Sequence, residues 1–200
     1  MLIVVEGCVG VGKSTVAKGL AEHRGSDLLL ENFDANPFLE AFYAHPSQNA
    51  IETEFAFLLL HFHQLKARAD CTTHGEVISD FHLWKDLIYA ELNLKDDRTK
   101  RVFRELHALC LESTPPPALM VFLSATTDLI VSRIWARKRS FELEIDPAYY
   151  ARVNDAYESA FEDYQGRKVR LSMSEWDFVA RPSLFERLSL LIDQELTSCE

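Results

Sequence analysis

Short apolar runs, separated by longer stretches that mix apolar and polar residues, set the pattern of this chain. The apolar runs predict strands at 2–5, 28–30, 77–80, 118–123 and, more weakly, 169–171. The stretches between them predict helices at about 13–24, 48–69, 82–92, 97–112, 126–138, 147–165 and 182–196. Because apolar strands alternate with helices, we expect an α/β fold whose five-stranded parallel sheet is flanked by helices on both faces.

One strong break interrupts the pattern, at the segment 113–117, which reads STPPP. It ends one predicted helix and leads into the fourth predicted strand, so it predicts an internal loop and not a domain boundary. The sequence contains no internal repeat, low-complexity tract or block of like charges. We therefore expect a single domain over residues 1–200.

A glycine-rich segment directly follows the first predicted strand and opens the first predicted helix. Its sequence, GCVGVGKST, fits the phosphate-loop pattern GxxxxGK[ST] in the context that the motif requires. The glycines let backbone N–H groups converge on phosphate oxygens, and the helix N-terminus adds a partial positive charge. The residues predicted to bind the nucleotide are Gly7, Cys8, Val9, Gly10, Val11, Gly12, Lys13, Ser14 and Thr15.

Two of these side chains have predicted roles of their own. Lys13 is expected to reach the β and γ phosphates of ATP, and Ser14 to offer its hydroxyl to Mg²⁺. The alternative is a glycine-rich turn that binds nothing. The complete motif favours the nucleotide, and it makes the expected fold a three-layer P-loop fold.

Two acidic residues follow predicted strands, at the sheet edge where parallel α/β folds bind ligands. Glu31 ends the second strand and could accept a proton from an attacking hydroxyl, although it could also be an exposed strand-end residue. Asp80 ends the third strand, where an acid can assist Mg²⁺ directly or through water. Its alternative role is to cap the following helix.

Three arginines follow the fourth strand and form a candidate basic lid. Arg133 and Arg137 are four residues apart and therefore share a helix face, and Arg139 lies just beyond the predicted helix end. Together they could neutralise charge that develops on a transferred phosphoryl group. The alternative is that they complement the dipole at a helix C-terminus.

Composition narrows the class of protein. The chain has 200 residues, of which 48% are hydrophobic and 26% are charged, as in ordinary globular domains. Its formal net charge of −10 disfavours nucleic acid as a partner, because the phosphate backbone would be repelled. A local basic pocket can still bind a small anion.

Compartment is inferred from the ends of the chain and from its cysteines. The first strand begins directly after Met1, which leaves no room for a targeting peptide, and no apolar run approaches the length that crosses a membrane. The four cysteines are scattered without a CxxC pair, so disulfides and zinc are not expected. A cytoplasmic protein without a membrane partner is expected.

These motifs together resemble the deoxynucleoside kinase family, most closely the bacterial deoxyadenosine and deoxyguanosine kinase branch. The resemblance covers 2–185 and is most specific at Glu31, at the Asn-Pro-Phe-Leu segment 36–39 and at Tyr43. The segment 80–85, DFHLWK, resembles the branch's motif after strand three. The resemblance implies an enzyme that uses ATP and Mg²⁺ to phosphorylate the 5′-hydroxyl of a deoxyribonucleoside. It also implies a homodimer packed through long helices such as 48–69 and 97–112.

The same resemblance implies roles for individual residues. Glu31 would be the general base, with Lys13 and Arg133 also catalytic, and Tyr43 would bind the sugar 3′-hydroxyl. The lid, about 133–145, would hold ATP phosphates through Arg137 and Arg139. Further residues implied are Glu142 for the 3′-hydroxyl, Asp177 and Phe178 for the ATP adenine, and Phe57 for the substrate.

The sequence departs from the wider family at two positions. Many members carry arginine directly after the strand-three acid, but Phe81 occupies that position here, and Lys85 could substitute from the next helical turn. Many members also carry an arginine on the substrate-facing helix, where the alignment puts His61. Recognition of the 5′ oxygen and of the base is therefore expected to differ in detail.

The base-reading position is glutamine in several relatives and Glu54 here. An ionised carboxylate only accepts hydrogen bonds, and guanine offers two donors on one edge. Glu54 therefore favours deoxyguanosine, although it could instead lie on a solvated helix face. Asp86 matches a second base-edge position and could accept from an exocyclic amino group.

Two other functions remain open on the sequence. A nucleoside monophosphate kinase shares the phosphate loop and basic lid, but lacks the combination of Glu31 with the segment 36–39. A nucleotide-binding module without catalysis would be expected to have lost Lys13, Glu31 or the lid arginines, all of which are present.

Overall fold

Five parallel strands form the centre of the fold. The structure, a computed structural model, describes residues 1–71, 75–139 and 145–198. The strands are β1 Leu2–Glu6, β2 Asp27–Leu29, β3 Val77–Ser79, β4 Leu119–Ser124 and β5 Lys168–Ser172. They pair in the order β2-β3-β1-β4-β5, all parallel.

Helices connect the strands and cover the sheet. They are α1 Lys13–Arg24, α2 Leu39–Ala44, α3 Pro46–Cys71, α4 Trp84–Asn93, α5 Asp97–Glu112, α6 Thr127–Arg137, α7 Pro147–Asp163 and α8 Leu184–Thr197. A short 3-10 turn covers Phe33–Ala35. The seven longer helices agree with the predicted ones to within about two residues at each end, whereas α2 was not predicted.

The two faces of the sheet bury separate apolar clusters, which gives three layers. Successive residues of β1 point to opposite faces, so Ile3 and Val5 pack in one cluster and Leu2 and Val4 in the other. The first cluster includes residues of α1, α6, α7 and α8, and the second includes residues of α3, α4 and α5. The predicted α/β fold, with a five-stranded parallel sheet flanked by helices, is confirmed.

Burial is uneven across the sheet. Every residue of β1 and β3 is buried, as expected for central strands. The edge strand β2 is different, because Asp27 and Leu28 are exposed and Leu29 is only half-buried. This edge strand has one neighbouring strand, β3, and it begins at Asp27, one residue before the predicted start at Leu28.

Several helix ends follow local signals in the sequence. The Asp96 carboxylate accepts the backbone N–H groups of Arg98 and Thr99 and caps the start of α5. Asp146 caps α7 in the same way, and Pro147 occupies the first turn of that helix. Helix α1 ends at Gly25, which adopts the left-handed conformation with φ +64°. The segment 113–117 connects α5 to β4, as predicted.

In the described ranges, none of the helices combines the length and hydropathy needed to cross a bilayer. Helix α3 is the longest at 26 residues, but it carries polar and charged side chains along its length.

Candidate active site

A cavity of about 600 Å³ lies at the carboxyl ends of the strands. At one end it is lined by residues of the phosphate loop, and at the other by residues of α3, α4 and α7. This is the edge at which open parallel sheets bind ligands. Most of the side chains predicted to act in the site line this cavity.

The phosphate loop leaves β1 and curls over the start of α1. Its glycines adopt positive φ angles of +142° at Gly7, +83° at Gly10 and +113° at Gly12. A Cβ at Gly7 would lie 2.5 Å from the Leu123 carbonyl oxygen, so the sharp turn out of β1 requires glycine. Because Gly12 precedes α1 and has no side chain, the first N–H groups of that helix are open to a phosphate.

Side chains of the loop point in different directions. Cys8 and Val11 are buried in the core, so only their backbone can contact a nucleotide. Lys13 lines the cavity, and its Nζ donates to the carbonyl oxygens of Gly7 at 2.8 Å and Cys8 at 3.2 Å. The lysine thus lies across its own loop, beside the position predicted for the phosphates.

Asp80 connects the phosphate loop to the segment after β2. One carboxylate oxygen accepts from the Ser14 hydroxyl, and the other accepts from the Glu31 backbone N–H at 2.7 Å. Helix α4 begins only at Trp84, so Asp80 does not cap that helix, which was its alternative role, and instead makes this connection. Asp80 follows β3 directly, one residue beyond the predicted position at its end.

The Ser14 hydroxyl and the Asp80 carboxylate form a pair of hard oxygen donors. Mg²⁺ prefers such donors and usually takes one or two from the protein, with the rest from phosphates and water. Among the described residues, no group of three or more His, Cys, Asp or Glu side chains could enclose a metal. The pair therefore fits a Mg²⁺ ion that arrives with a nucleotide.

Glu31 lies where the phosphate loop meets the rest of the cavity. It is two residues beyond the end of β2, not at the strand end as predicted, and Asp80 fixes its backbone. Its Oε2 pairs with Lys85 Nζ at 2.6 Å, and its Oε1 contacts His61 Nε2 at 3.1 Å. Burial would raise the pKa of Glu31, but Lys85 and His61 outweigh it and hold that pKa well below its usual range.

His61 occupies the centre of a buried chain of side chains. Its Nδ1 lies 2.7 Å from Asp86 Oδ1, and its ring stacks on Phe57 at 5.3 Å between centroids. Phe81 packs against the imidazole at 5.0 Å. Burial alone would lower the pKa of His61, but Asp86 and then Glu31 beside it raise that pKa to about 9. Asp86 Oδ2 is buried without a hydrogen-bond partner within the described part of the chain.

Glu54 closes the far end of the cavity. It is 3% exposed, so the alternative of a solvated helix face is wrong. Asn93, at the end of α4, donates from Nδ2 to Glu54 at 2.8 Å and also contacts the Tyr149 hydroxyl at 3.3 Å. Burial raises the pKa of Glu54 to about 8.

The segment 36–39 positions Tyr43. The buried Asn36 side chain donates to the Thr53 carbonyl at 3.0 Å and accepts from the Phe38 N–H at 3.1 Å, which ties this turn to α3. Helix α2 then begins at Leu39 and places Tyr43 on the cavity wall, edge-to-face with Phe42.

The lid arginines line the phosphate end of the cavity. Arg133 donates from Nη1 to the Val11 carbonyl at 2.5 Å, so α6 is bonded to the phosphate loop. The Arg139 guanidinium lies 3.9 Å above the Phe33 ring, and Arg137 also lines the cavity. Glu142, predicted to meet the sugar, lies outside the described residues.

The loop after β5 completes the cavity wall. The Asp177 carboxylate accepts the backbone N–H groups of Val179 at 3.2 Å and Ala180 at 3.0 Å, so it shapes this loop. Phe178 is mostly buried and packs on Phe185 at 4.7 Å between centroids. Both Asp177 and Phe178 line the cavity, and their contact with an adenine stays a prediction.

Sequence reasoning missed two residues that line the cavity, Asn93 and Tyr149, and one buried acid next to the phosphate loop, Glu6. Glu6, the last residue of β1, accepts from the His82 N–H at 2.8 Å, and burial raises its pKa to about 7. An acid at the end of an otherwise apolar strand was a usable signal for it. Asn93 and Tyr149 carried no such signal, because the packing of α4 against α3 brings Asn93 to Glu54 and the packing of α7 against α4 brings Tyr149 to Asn93.

A glycine-lined phosphate loop, a cation at its helix start and acids after two neighbouring strands define a P-loop nucleotide-binding protein. The chain belongs to the deoxynucleoside kinase family, whose model matches residues 3–197. It is accordingly a phosphotransferase, as that family consists of kinases.

Individual relatives carry related names. The chain is 29% identical to the deoxyguanosine kinase of Bacillus subtilis over 194 residues, covering 94% of this chain and 93% of the relative. It is 28% identical to the deoxyadenosine kinase of Lactobacillus acidophilus, covering 98% and 96%. It is 26% identical to the deoxyadenosine/deoxycytidine kinase of Bacillus subtilis.

Solved structures show the same fold. A deoxyadenosine kinase from M. mycoides, with the products dCMP and dCDP bound, superposes with a TM-score of 0.84 at 23% identity. The match covers 97% of this chain and all of that one. The same kinase with dATP bound superposes with a TM-score of 0.81.

Proposed function

We propose that this protein transfers the γ-phosphoryl group of ATP to the 5′-hydroxyl of a deoxyribonucleoside, with a purine base preferred. The observation that carries the proposal is the position of Glu31. Its carboxylate lies between the phosphate loop and the wider part of the cavity, and Lys85 and His61 hold it there. An acceptor hydroxyl placed at Glu31 would face a phosphate held by the loop.

The phosphate end supports ATP as the donor. Its triphosphate would replace the bonds that Lys13 now makes to Gly7 and Cys8, and Arg133, Arg137 and Arg139 would add positive charge. The adenine would lie near Asp177 and Phe178. Ser14 and Asp80 would hold Mg²⁺, which supplies charge neutralisation of the phosphates when bound.

In the proposed transfer step, Glu31 takes up the proton that the acceptor hydroxyl loses. A bond forms between the acceptor 5′ oxygen and the γ phosphorus, and the bond from that phosphorus to the β–γ bridging oxygen breaks. Glu31 accepts the proton that leaves the 5′-hydroxyl, and ADP leaves with the electron pair. Lys85, 2.6 Å from Glu31, adds a positive charge near the 5′ oxygen, where many family members carry arginine.

The wider part of the cavity suits a nucleoside. Tyr43 would bind the sugar 3′-hydroxyl together with Glu142, and the half-buried Phe57 ring would face the base. Glu54 and the second Asp86 oxygen, which has no hydrogen-bond partner in the described part of the chain, would read the base edge. The relatives are named for deoxyguanosine, deoxyadenosine and deoxycytidine, so their names do not decide which base this chain prefers.

Glu54 supports deoxyguanosine as that base. Guanine presents N1–H and the 2-amino group on one edge, and a carboxylate can accept both. With a ligand-free pKa of about 8, Glu54 is mostly protonated at pH 7, so binding of guanine would release a proton. Calorimetry in buffers of different ionisation enthalpy would detect that proton with deoxyguanosine and none with deoxyadenosine.

One assay tests the proposed function directly. ATP and Mg²⁺ are supplied with each of the four deoxynucleosides, and with each deoxynucleoside monophosphate, and the phosphorylated product is measured. We expect monophosphates, with deoxyguanosine turned over fastest. Strong preference for thymidine would contradict the purine assignment, and diphosphate product would favour a nucleoside monophosphate kinase. ATP consumption without a phosphorylated acceptor would instead favour a nucleotide-binding module that does not phosphorylate an acceptor.

A homodimer and a single catalytic domain over 1–200, with a lid at about 133–145, belong to the same proposal. Support for the dimer comes from α3 and α5, which expose large apolar side chains. Ile51 and Leu59 on α3, and Val102 and Leu109 on α5, are each about half exposed. Light scattering coupled to size exclusion would measure the mass, and a monomer at micromolar concentration would contradict the dimer.

A further inference from the structure

We propose that His61 is a positioning residue for Glu31, held in turn by Asp86, so that one imidazole connects the base end of the cavity to the phosphoryl-transfer end. The inference rests on the proposed function, which makes Glu31 the group that accepts the proton. It gives His61 a role other than direct contact with the base, and it gives Asp86 a second role besides that contact.

The geometry is that of a continuous chain. Nδ1 of His61 lies 2.7 Å from Asp86 Oδ1 and Nε2 lies 3.1 Å from Glu31 Oε1. Because both neighbours are carboxyl oxygens that accept hydrogen bonds, both ring nitrogens donate, and only the imidazolium can satisfy both. The ring is fixed from its faces as well, by Phe57 and Phe81.

The imidazolium determines where the Glu31 carboxylate points. Lys85 holds Oε2 at 2.6 Å, and His61 holds Oε1, so the plane of the carboxylate is defined from two sides. Loss of the His61 contact would leave Oε1 without this donor and let the carboxylate rotate about Lys85. Small displacements of a reacting group have large effects on rate, up to about 100-fold per ångström.

Asp86 extends the chain to the base. One of its oxygens accepts from His61, and the other is buried and unpartnered among the described residues. A base amino group that donated to that oxygen would polarise the same carboxylate that holds the imidazolium. The base and the Glu31 carboxylate would therefore be coupled through the two hydrogen bonds of His61.

The protonation of His61 gives the proposal a consequence that can be measured. The charged or titratable groups that face His61 are Glu31 after β2, Asp86 and Lys85 on α4, Glu54 on α3, and His82 before α4. The two contacting carboxylates outweigh burial and raise the pKa of His61 to about 9. The imidazolium is thus present at neutral pH and is lost as the pH rises through about 9.

The test combines kinetics with a direct titration. In His61→Gln we expect kcat for the deoxynucleoside to fall by about 10- to 100-fold, with the KM for ATP unchanged. We also expect wild-type kcat to decline above about pH 9, and the residual rate of His61→Gln to lack that decline. His63→Gln is the matched control, because His63 is an exposed histidine on the same helix.

If His61→Gln does not fold, nuclear magnetic resonance of the wild-type protein still tests the proposal. The His61 resonance, identified by its contacts to Phe57 and Phe81, should titrate near pH 9 and at least one pH unit lower in Asp86→Asn. Titration near the ordinary value of 6.5, or wild-type kcat in a folded His61→Gln, would overturn the proposal. Wild-type protein that phosphorylates no deoxynucleoside would refute the proposed function instead, whatever His61 titrates at.

Discussion

At the phosphate end of the cavity the loop 7–15 offers mostly backbone groups from nine consecutive residues, and the lid arginines add side chains. At the acceptor end the lining groups are side chains from Glu31 and from α2, α3, α4 and α7, which are far apart in the sequence. The first end depends on chain conformation, which glycine permits. The second depends on buried charges that compensate one another across elements, so a change there disturbs its neighbours.

The largest expected effect separates the two ends by function. Glu31→Gln removes the proton acceptor but keeps the side-chain shape, so we expect kcat to fall by about 100-fold or more. Binding of ATP, measured by calorimetry, should stay near the wild-type value because the loop is unchanged. Glu40→Gln, an exposed glutamate on α2, is the control and should retain wild-type kcat.

Either of two results would break this separation. Unchanged turnover in Glu31→Gln would remove Glu31 from the reaction. Loss of ATP binding would show that the acceptor end also organises the loop.

The second effect tests the conformational nature of the phosphate end. In Gly7→Ala the new Cβ meets the Leu123 carbonyl oxygen at 2.5 Å, at a φ of +142°. We expect the free energy of unfolding to fall by about 2 kcal/mol and ATP binding to weaken. Gly75→Ala, where a Cβ has open space, is the matched control. Equal urea midpoints for the two variants would contradict the requirement for glycine at position 7.

The third effect tests the cost of buried charge at the acceptor end. Between its unfolded pKa of 4.5 and its folded pKa of about 8, Glu54 keeps a proton in the folded state that the unfolded chain has lost. Its contribution to stability is therefore full below pH 4.5 and is lost as the pH rises through about 8. Glutamine stays neutral at every pH. Between pH 5 and pH 8 the free energy of unfolding should therefore fall less in Glu54→Gln than in wild type, by at least about 1 kcal/mol.

Urea unfolding at both pH values measures this difference. Glu52→Gln, on the exposed side of α3, should keep the wild-type dependence on pH. The idea fails if Glu54→Gln and Glu52→Gln show the same slope.

The smallest effect concerns Asn93, which links α4 to Glu54 on α3 and to Tyr149 on α7. Asn93→Ala removes the 2.8 Å bond to Glu54, and we expect the free energy of unfolding to fall by about 1 kcal/mol. Tyr149→Phe removes only a 3.3 Å contact to Asn93 and should cost less. Thermal unfolding of both variants measures the difference, and a larger loss in Tyr149→Phe would reverse the assignment.

The same contrast explains what the sequence could predict. The phosphate loop and the alternation of strands and helices were predictable because each depends on contiguous residues. Helix α2 was missed because it has only six residues, and its position depends on Asn36 binding α3.

Contacts at the acceptor end lay beyond sequence reasoning for a different reason. Glu31 and Lys85 are 54 positions apart, and only the pairing of β2 with β3 brings them together. The sequence indicated that Lys85 could serve near the 5′ oxygen, but not that His61 would bind Glu31 and Asp86 at once. Such pairings are set by tertiary packing, which a pattern along one chain does not contain.

The two hydrogen bonds of Asp80 have a consequence for how this fold can diversify. By binding both the Ser14 hydroxyl and the Glu31 backbone N–H, Asp80 fixes the main chain at Glu31 relative to the phosphate loop without using any residue of α3. Glu54 and Asp86, the side chains proposed to read the base, are carried by α3 and α4. Under the proposed function, a substitution at a base-facing position that does not touch Glu31, such as Glu54, can therefore change the preferred nucleobase while the main chain at Glu31 keeps its place beside the phosphate loop.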